Sequence, residues 1–200
     1  MFIFVSGATR SGKSEWAEAA VAALSGGEPM VYLATARAAD EDMRRRIERH
    51  QARRRGRGFL TIERPCGLSG VLASVPAGAS VLLECLPTWV ANEMFREDGT
   101  VAAPPDVREE VLCAARGLRA RCRHLTIVSD DIFSDGARYD GATELYLRLL
   151  GELHVRLAGE ADEAVECAAG RPRFAKGAAP QRPVRQSRQV RTPNPLAPFA

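Results

Sequence analysis

Eight residues near the start of this 200-residue chain, Gly7-Ala8-Thr9-Arg10-Ser11-Gly12-Lys13-Ser14, have the spacing G-x-x-x-x-G-K-S. Each type has a use if the group to be held is a row of phosphates. Gly7 and Gly12 permit backbone conformations closed to other residues, so successive N–H groups can turn inward towards phosphate oxygens. A helix that starts at Lys13 adds the positive end of its dipole at the same place. Lys13 then reaches the β- and γ-phosphates of a nucleoside triphosphate, and the Ser14 hydroxyl is placed to ligate Mg²⁺. We read Gly7 to Ser14 as a phosphate-binding loop. The loop alone names no reaction, because kinases, GTPases and ATPases share it.

A carboxylate that could complete the metal site is Glu84, at the end of the apolar run Val81-Leu82-Leu83. Phosphate-loop enzymes usually carry an aspartate at such a strand end. Glutamate is one methylene longer and is expected to act through a metal-bound water. A second concentration of charge spans residues 44–57, with eight arginines and one glutamate. At helical spacing such a run is ordinarily a solvated face, but this one contains His50.

The elements that must position these groups follow from the hydrophobic pattern. Strand-like runs lie at residues 2–6, 30–34, 59–62, 80–85, 125–129 and 164–167. Helical patterns lie between them at 13–24, 40–54, 88–96, 106–121 and 143–158, the last with Leu145, Leu149, Leu153 and Leu157 as one apolar stripe. This alternation predicts an α/β fold, a mostly parallel sheet with helices on both faces. In such sheets ligands sit at the carboxyl ends of the strands, where the phosphate loop falls.

Composition narrows the class. With 46% hydrophobic residues in 200, one globular domain is expected, and no apolar run approaches the ~20 residues that span a bilayer. Cysteines 66, 85, 113, 122 and 167 are scattered, odd in number and without a C-x-x-C pair, which suits reduced thiols and a cytoplasmic protein. From residue 177 to the end there are four arginines, five prolines and no acid, which suggests a flexible basic tail after a domain of residues 1–176. A nucleic-acid partner is not expected: the tail offers only Phe199 to stack on a base, and no recognition module is visible.

Four stretches occur in a telling order and spacing: F-V-S-G-A-T-R-S-G-K-S-x-x-A-E (4–18), V-Y-L-A-T-A (31–36), D-E-D-M-R-R-R-I-E-R-H-Q (40–51) and L-L-E-C-L-P-T-W-V-A-N (82–92). Through them the chain resembles the adenosylcobinamide kinase/adenosylcobinamide-phosphate guanylyltransferase family of cobalamin biosynthesis. Arg10 inside the loop and the M-x-x-R-I-x-x-H helix are more specific than the loop itself. The resemblance is close over residues 1–95 and weaker afterwards.

The resemblance implies a RecA-like phosphate-loop NTPase fold, one domain per subunit, in a homo-oligomer that is trimeric in the best-matched relatives. It implies a kinase reaction, from ATP or GTP to the aminopropanol hydroxyl of adenosylcobinamide. It also implies a transferase reaction, in which GMP from GTP is first placed on a histidine and then passed to the substrate phosphate. The histidine position falls on His50, which with Lys13 forms the catalytic pair. Nucleotide contacts fall on Gly7, Ala8, Thr9, Arg10, Ser11, Gly12, Lys13 and Ser14, on Thr35, Ala36 and Arg37, on Gln51, Ala52, Arg53 and Arg54, and on Glu63 and Glu84; Mg²⁺ falls to Ser14 and Glu84. The chemistry accounts for the arginine block. Imidazole, with an unperturbed pKa of about 6.5, is a competent nucleophile near neutrality. Cations around it favour the neutral form and stabilise charge on a phosphate under attack. His124 and His154 lack such a setting and are read as structural or exposed.

The chain departs from the family after the fifth strand. Where the family reads S-N-E-V-G, this sequence has Ser129-Asp130-Asp131-Ile132-Phe133, and the later R-x-F-R-D helix is absent. Such changes point to the corrinoid side and the subunit contacts rather than to the nucleotide machinery. They leave two readings open, the family reaction or a related kinase or nucleotidyltransferase with another acceptor. A non-catalytic GTP-binding protein is a third, but it has no use for His50 beside the arginines.

Overall fold

A computed structural model describes residues 1–37, 41–133, 136–137, 139 and 141–177, without the side chains of residues 42, 43, 46, 50, 53 and 54. The expected tail lies, from residue 178 on, outside the described residues. Seven strands form one sheet: β1 (Phe2–Gly7), β2 (Met30–Ala34), β3 (Phe59–Glu63), β4 (Ser80–Glu84), β5 (His124–Asp130), β6 (Glu163–Ala168) and β7 (Arg171–Lys176). Their order is β3-β2-β4-β5-β1-β6-β7, all parallel except β7. One strand, β5, stands between the loop-bearing β1 and the Glu84-bearing β4, the RecA-like phosphate-loop arrangement.

Side chains alternate across each strand, so the sheet has two apolar faces. Ile3, Val5, Tyr32, Leu82, Val128 and Val165 point to the face covered by α1 (Lys13–Ser25), through Ala17 and Val21. Phe2, Phe4, Val31, Leu33, Val81, Leu83, Leu125 and Ile127 point to the other. That face is covered by a 3-10 helix (Leu68–Ser74), α3 (Leu86–Met94), α4 (Pro104–Arg121) and α5 (Gly141–Glu160). Burial on both faces is why β4 reads as an unbroken apolar run before its final glutamate. Trp89 of α3 is fully buried in the larger core; truncating it to alanine should cost about 3–5 kcal/mol.

Local signals set the helix ends. Pro87 and Pro104 stand in the first turns of α3 and α4, where a missing N–H is harmless. Gly26 closes α1 in the left-handed conformation at φ 59°. On α5, Leu149, Leu153 and Leu157 are buried, but Leu145 is 47% exposed. A strict four-residue step drifts about 40° per step around a 3.6-residue helix, so the stripe leaves the core at its N-terminal end.

Strand register aligns the groups of interest. Gly7 pairs with Asp130, and Ala34 pairs with both Glu63 and Glu84. The carboxyl ends of β1 to β5 thus form one edge carrying the phosphate loop and three carboxylates.

Candidate functional site

The loop leaves β1 at Gly7 and enters α1 at Lys13, as its spacing predicts. Gly7 is packed so closely that a Cβ there would lie 2.5 Å from the Cys167 carbonyl oxygen and 2.6 Å from Ser11 Oγ. Gly12 takes φ 88°, and Arg10 itself takes φ 63°. Both turn the backbone in ways that L side chains adopt rarely. The turn between β6 and β7 braces the loop, Gly170 N–H donating to the Ser11 carbonyl at 2.9 Å. Ala8, Thr9 and Arg10 are exposed at the loop's crest, while Ser11 and Lys13 are buried beneath it.

Lys13 Nζ donates to the Ala8 carbonyl at 3.2 Å and forms an ion pair with Asp130. Ser14 Oγ donates to Glu84 Oε1 at 2.6 Å, and Tyr32 Oη donates to Glu84 Oε2 at 2.9 Å. Both carboxylate oxygens of Glu84 are therefore held from opposite neighbours. Thr35, fully buried, fastens the end of β2 to β4: its N–H donates to the Glu84 carbonyl at 3.2 Å and its hydroxyl accepts from Cys85 N–H at 2.9 Å. Asn92 of α3 donates to the Thr35 carbonyl at 2.8 Å and to that of Pro65 at 3.0 Å. Arg37 extends towards the turn that follows α3, pairing with Glu97 at 3.1 Å. Burial pushes the Cys85 thiol up to about 11, so it is no nucleophile at neutral pH.

A second concavity of about 290 Å³ lies one strand further out, under α2 (Glu41–Arg54). It is lined by Ala34 and Ala36 from the end of β2, Glu63 from β3, and Arg44, Ile47, Glu48 and Gln51 from the helix. Gln51 Nε2 donates to Glu63 Oε1 at 3.1 Å across it. Ala52 is exposed on the helix's outer side. His50 belongs to α2, between Glu48 and Gln51; its side chain, like those of Arg53 and Arg54, lies outside the described residues.

The predicted residues thus fall into two groups. Gly7 to Ser14 and Glu84 come together at the ends of β1 and β4, whereas Gln51, Glu63 and Ala36 meet at the second cavity, with Thr35 tied between. Three residues that carry these contacts were not singled out by sequence reasoning: Tyr32, Asn92 and Asp130. Tyr32 and Asn92 stand inside the family-like stretches, but only the adjacency of β2 and β4 shows what they hold. Asp130 is the sharper correction. The stretch after Ser129 is not confined to the acceptor side, since its first aspartate pairs with the phosphate-loop lysine. His154, behind it on α5, shares a 2.6 Å hydrogen bond with Ser129 Oγ and packs edge-on against Phe4 and Phe133. Burial lowers its imidazole to about 4, against a smaller opposing pull from Asp131, as suits a structural histidine.

Among the described residues no helix is long and apolar enough to cross a membrane. The family model for cobinamide kinase / cobinamide phosphate guanyltransferase matches residues 3–174. The bifunctional adenosylcobalamin biosynthesis protein CobP of Pseudomonas aeruginosa is 32% identical over 173 residues, covering 86% of this chain and 95% of that one. The protein CobU of Salmonella typhimurium, with the same description, is 28% identical over 173 residues, 82% and 93% of the two chains. Its Escherichia coli counterpart is 39% identical over 102 residues, 50% of this chain and 53% of that one. The chain belongs to the cobinamide kinase / cobinamide phosphate guanyltransferase family.

Proposed function

We propose that this chain catalyses two successive reactions on one corrinoid. It transfers the γ-phosphate of ATP or GTP to the aminopropanol hydroxyl of adenosylcobinamide, then transfers GMP from GTP to the phosphate so formed. The observation that carries this reading is the pairing of a braced phosphate loop with a separate arginine-bearing helix over its own cavity. One presents a triphosphate, and the other supplies a nucleophile and cations. The family match does not favour another acceptor or a non-catalytic GTP-binding role.

In the first reaction Gly7 to Ser14 cradle the phosphates and Lys13 neutralises their terminal charge. Ser14 and Glu84 fit a hard divalent cation, being two oxygen donors in mutual contact beside the phosphate site. Among the described residues no cluster of three or more His, Cys, Asp or Glu offers an all-protein cage. That suits Mg²⁺, which keeps water and phosphate oxygens as most of its ligands. When bound, Mg²⁺ supplies neutralisation of phosphate charge. Tyr32 keeps Glu84 aimed at Ser14 throughout.

In the second reaction an imidazole nitrogen of His50 attacks the α-phosphorus of GTP. The N–P bond forms, the bond to the bridging oxygen breaks, and pyrophosphate leaves. A phosphate oxygen of the corrinoid then attacks the same phosphorus and frees His50. Splitting the displacement in two lets each half use a positioned nucleophile. Thr35, Ala36, Arg37, Gln51, Ala52, Arg53, Arg54 and Glu63 are assigned to the nucleotide in this step.

We further infer a homo-oligomer, trimeric as the resemblance implies; the exposed Phe95, Val101 and Leu145 are apolar surface such an assembly could cover. The five free cysteines support a cytoplasmic location. The direct test of function is product analysis. Wild type with adenosylcobinamide, ATP, GTP and Mg²⁺ should add a phosphate and then a GMP to the corrinoid, read by mass spectrometry. An unchanged corrinoid mass, with the nucleotides either intact or merely hydrolysed, overturns the reading.

A further inference from the structure

On the guanylyl-transfer reading above, we propose that the ion pair between Glu18 and Arg57 is a strut that holds the His50 end of α2 at a fixed reach from the phosphate loop. Glu18 and Arg57 are then positioning residues for guanylyl transfer, with no part in phosphoryl transfer.

Among the described residues Lys13 and Glu18 are the charged residues that are buried, and both stand on α1. Glutamate is almost never fully buried unless it is paired. A triphosphate accounts for Lys13. Glu18 lies beyond the loop, one turn after Ser14, and that spacing puts the two on one side of the helix. Ser14 Oγ meets Glu84 at the end of β4, while Glu18 Oε2 accepts from the Arg57 guanidinium at 2.7 Å. The Glu18 side chain has no exposed area, whereas that of Arg57 is 47% exposed. The arginine reaches in from solvent to a carboxylate that is wholly interior.

Arg57 stands in the turn that joins α2 to β3, between Gly56 at φ 77° and Gly58 at φ 80°. Two left-handed glycines let the chain fold sharply there and aim the side chain between them at α1. α2 ends just before this turn, at Arg54, and Arg55 N–H closes its last turn on the Gln51 carbonyl at 3.1 Å. His50 lies about one turn before that end. The Gln51–Glu63 hydrogen bond falls at the same end. At the other end Arg44 and Arg45 pair with Glu41 of the helix itself. α2 is therefore tied where His50 stands, and the tie leads through α1 back to Lys13 and Ser14.

A buried ion pair adds little net stability, because desolvation of its charges offsets their attraction; its best-attested use is to fix register. Here the register is the distance between the loop that holds the leaving pyrophosphate and the helix that carries the nucleophile. In-line attack tolerates little error, and a misplacement of about 1 Å can cost 10²-fold. Phosphoryl transfer draws on the loop and its metal site, wherever α2 stands.

Arg57→Ala is compared with wild type by three measurements: the single-turnover rate of protein labelling from α-labelled GTP at saturating nucleotide, phosphorylation of adenosylcobinamide from γ-labelled ATP, and the Kd for GTP. Labelling should slow about tenfold or more, while phosphorylation and Kd stay within about threefold of wild type. Arg57→Lys keeps a cation within reach of Glu18 and should recover most of the labelling rate. Labelling of Arg57→Ala at the wild-type rate overturns the strut. So does a GTP Kd that weakens in step with labelling, since Arg57 would then bind nucleotide itself. An equal fall in both reactions also overturns it, being what general loss of folding produces. If Arg57→Ala does not fold, Glu18→Gln combined with Arg57→Ala removes the buried charge together with its partner and is read by the same criteria. Wild type that never labels overturns the guanylyl-transfer reading and the strut with it. Labelled wild type beside an equally labelled Arg57→Ala overturns the strut alone.

Discussion

The phosphate loop and helix α2, the two regions to which the proposed reactions are assigned, are built in opposite ways. The loop is wedged between strand ends, with Lys13 and Ser11 buried, Gly7 in contact with the β6 backbone, and Ser14 fastened to a glutamate that Tyr32 also holds. No described side chain of α2 is buried, and among the described residues a Gln51–Glu63 hydrogen bond ties it to the sheet. In the proposed reactions the first region would be arranged before nucleotide arrives, which is how electrostatic stabilisation avoids reorganisation at the moment of reaction. The second is a charged, exposed helix on which Arg44 and Arg45 pair with its own Glu41. On the proposed mechanism the residue that accepts GMP and then releases it sits on the more loosely held element, while the lysine common to both reactions sits on the tightly packed one.

That contrast can be broken most severely at Lys13. Lys13→Ala should lower both phosphoryl and guanylyl transfer by on the order of 10²–10³-fold, measured as kcat/KM for each. Loss of only one reaction would show that the two do not share the loop. Gly7→Ala comes next, because its new Cβ meets a backbone carbonyl that cannot step aside. We expect a stability loss of about 1–3 kcal/mol by denaturant titration, with weakened nucleotide binding; unchanged stability would mean the loop is less tightly packed than described. Tyr32→Phe is milder. It keeps the edge-on contact with Phe59 and removes one hydrogen bond to Glu84. The Mg²⁺ concentration for half-maximal activity should rise about fivefold, matching ~1 kcal/mol for one hydrogen bond, and an unmoved Mg²⁺ dependence would release Tyr32 from that role. The smallest change is expected from Gln51→Ala. Stability should stay within about 0.5 kcal/mol while KM for GTP in guanylyl transfer rises. A marked drop in melting temperature would reveal that α2 is better anchored than that hydrogen bond suggests.

Much of this was legible in the sequence for a physical reason. Strands buried on both faces leave apolar runs, so β1, β2 and β4 stand out, and the glycine spacing of the loop is set by backbone geometry rather than by tertiary context. β7 leaves no such run, because an edge strand paired on one side carries Arg171, Pro172, Arg173 and Lys176, which read as a polar loop. The 3-10 helix Leu68–Ser74 is too short to show a period. The contacts of Tyr32 and Asp130 depend on strand order. Lys13 and Asp130 are far apart in sequence and meet only because β5 is inserted between β1 and β4. Local pattern carries no trace of that insertion. Leu145 shows the reverse failure, a periodic residue that the helix carries out of the core.

On the proposed mechanism one loop presents the triphosphate while a histidine on the looser helix carries GMP. It is tested most directly by incubating wild type, His50→Ala and Lys13→Ala with α-labelled GTP and Mg²⁺ and following label that survives denaturation. Wild type should carry acid-labile, base-stable label on His50 by mass spectrometry, as a phosphoramidate behaves. His50→Ala should carry none yet still phosphorylate adenosylcobinamide, and Lys13→Ala should do neither. Label that persists in His50→Ala, or that maps to a lysine, would contradict the account.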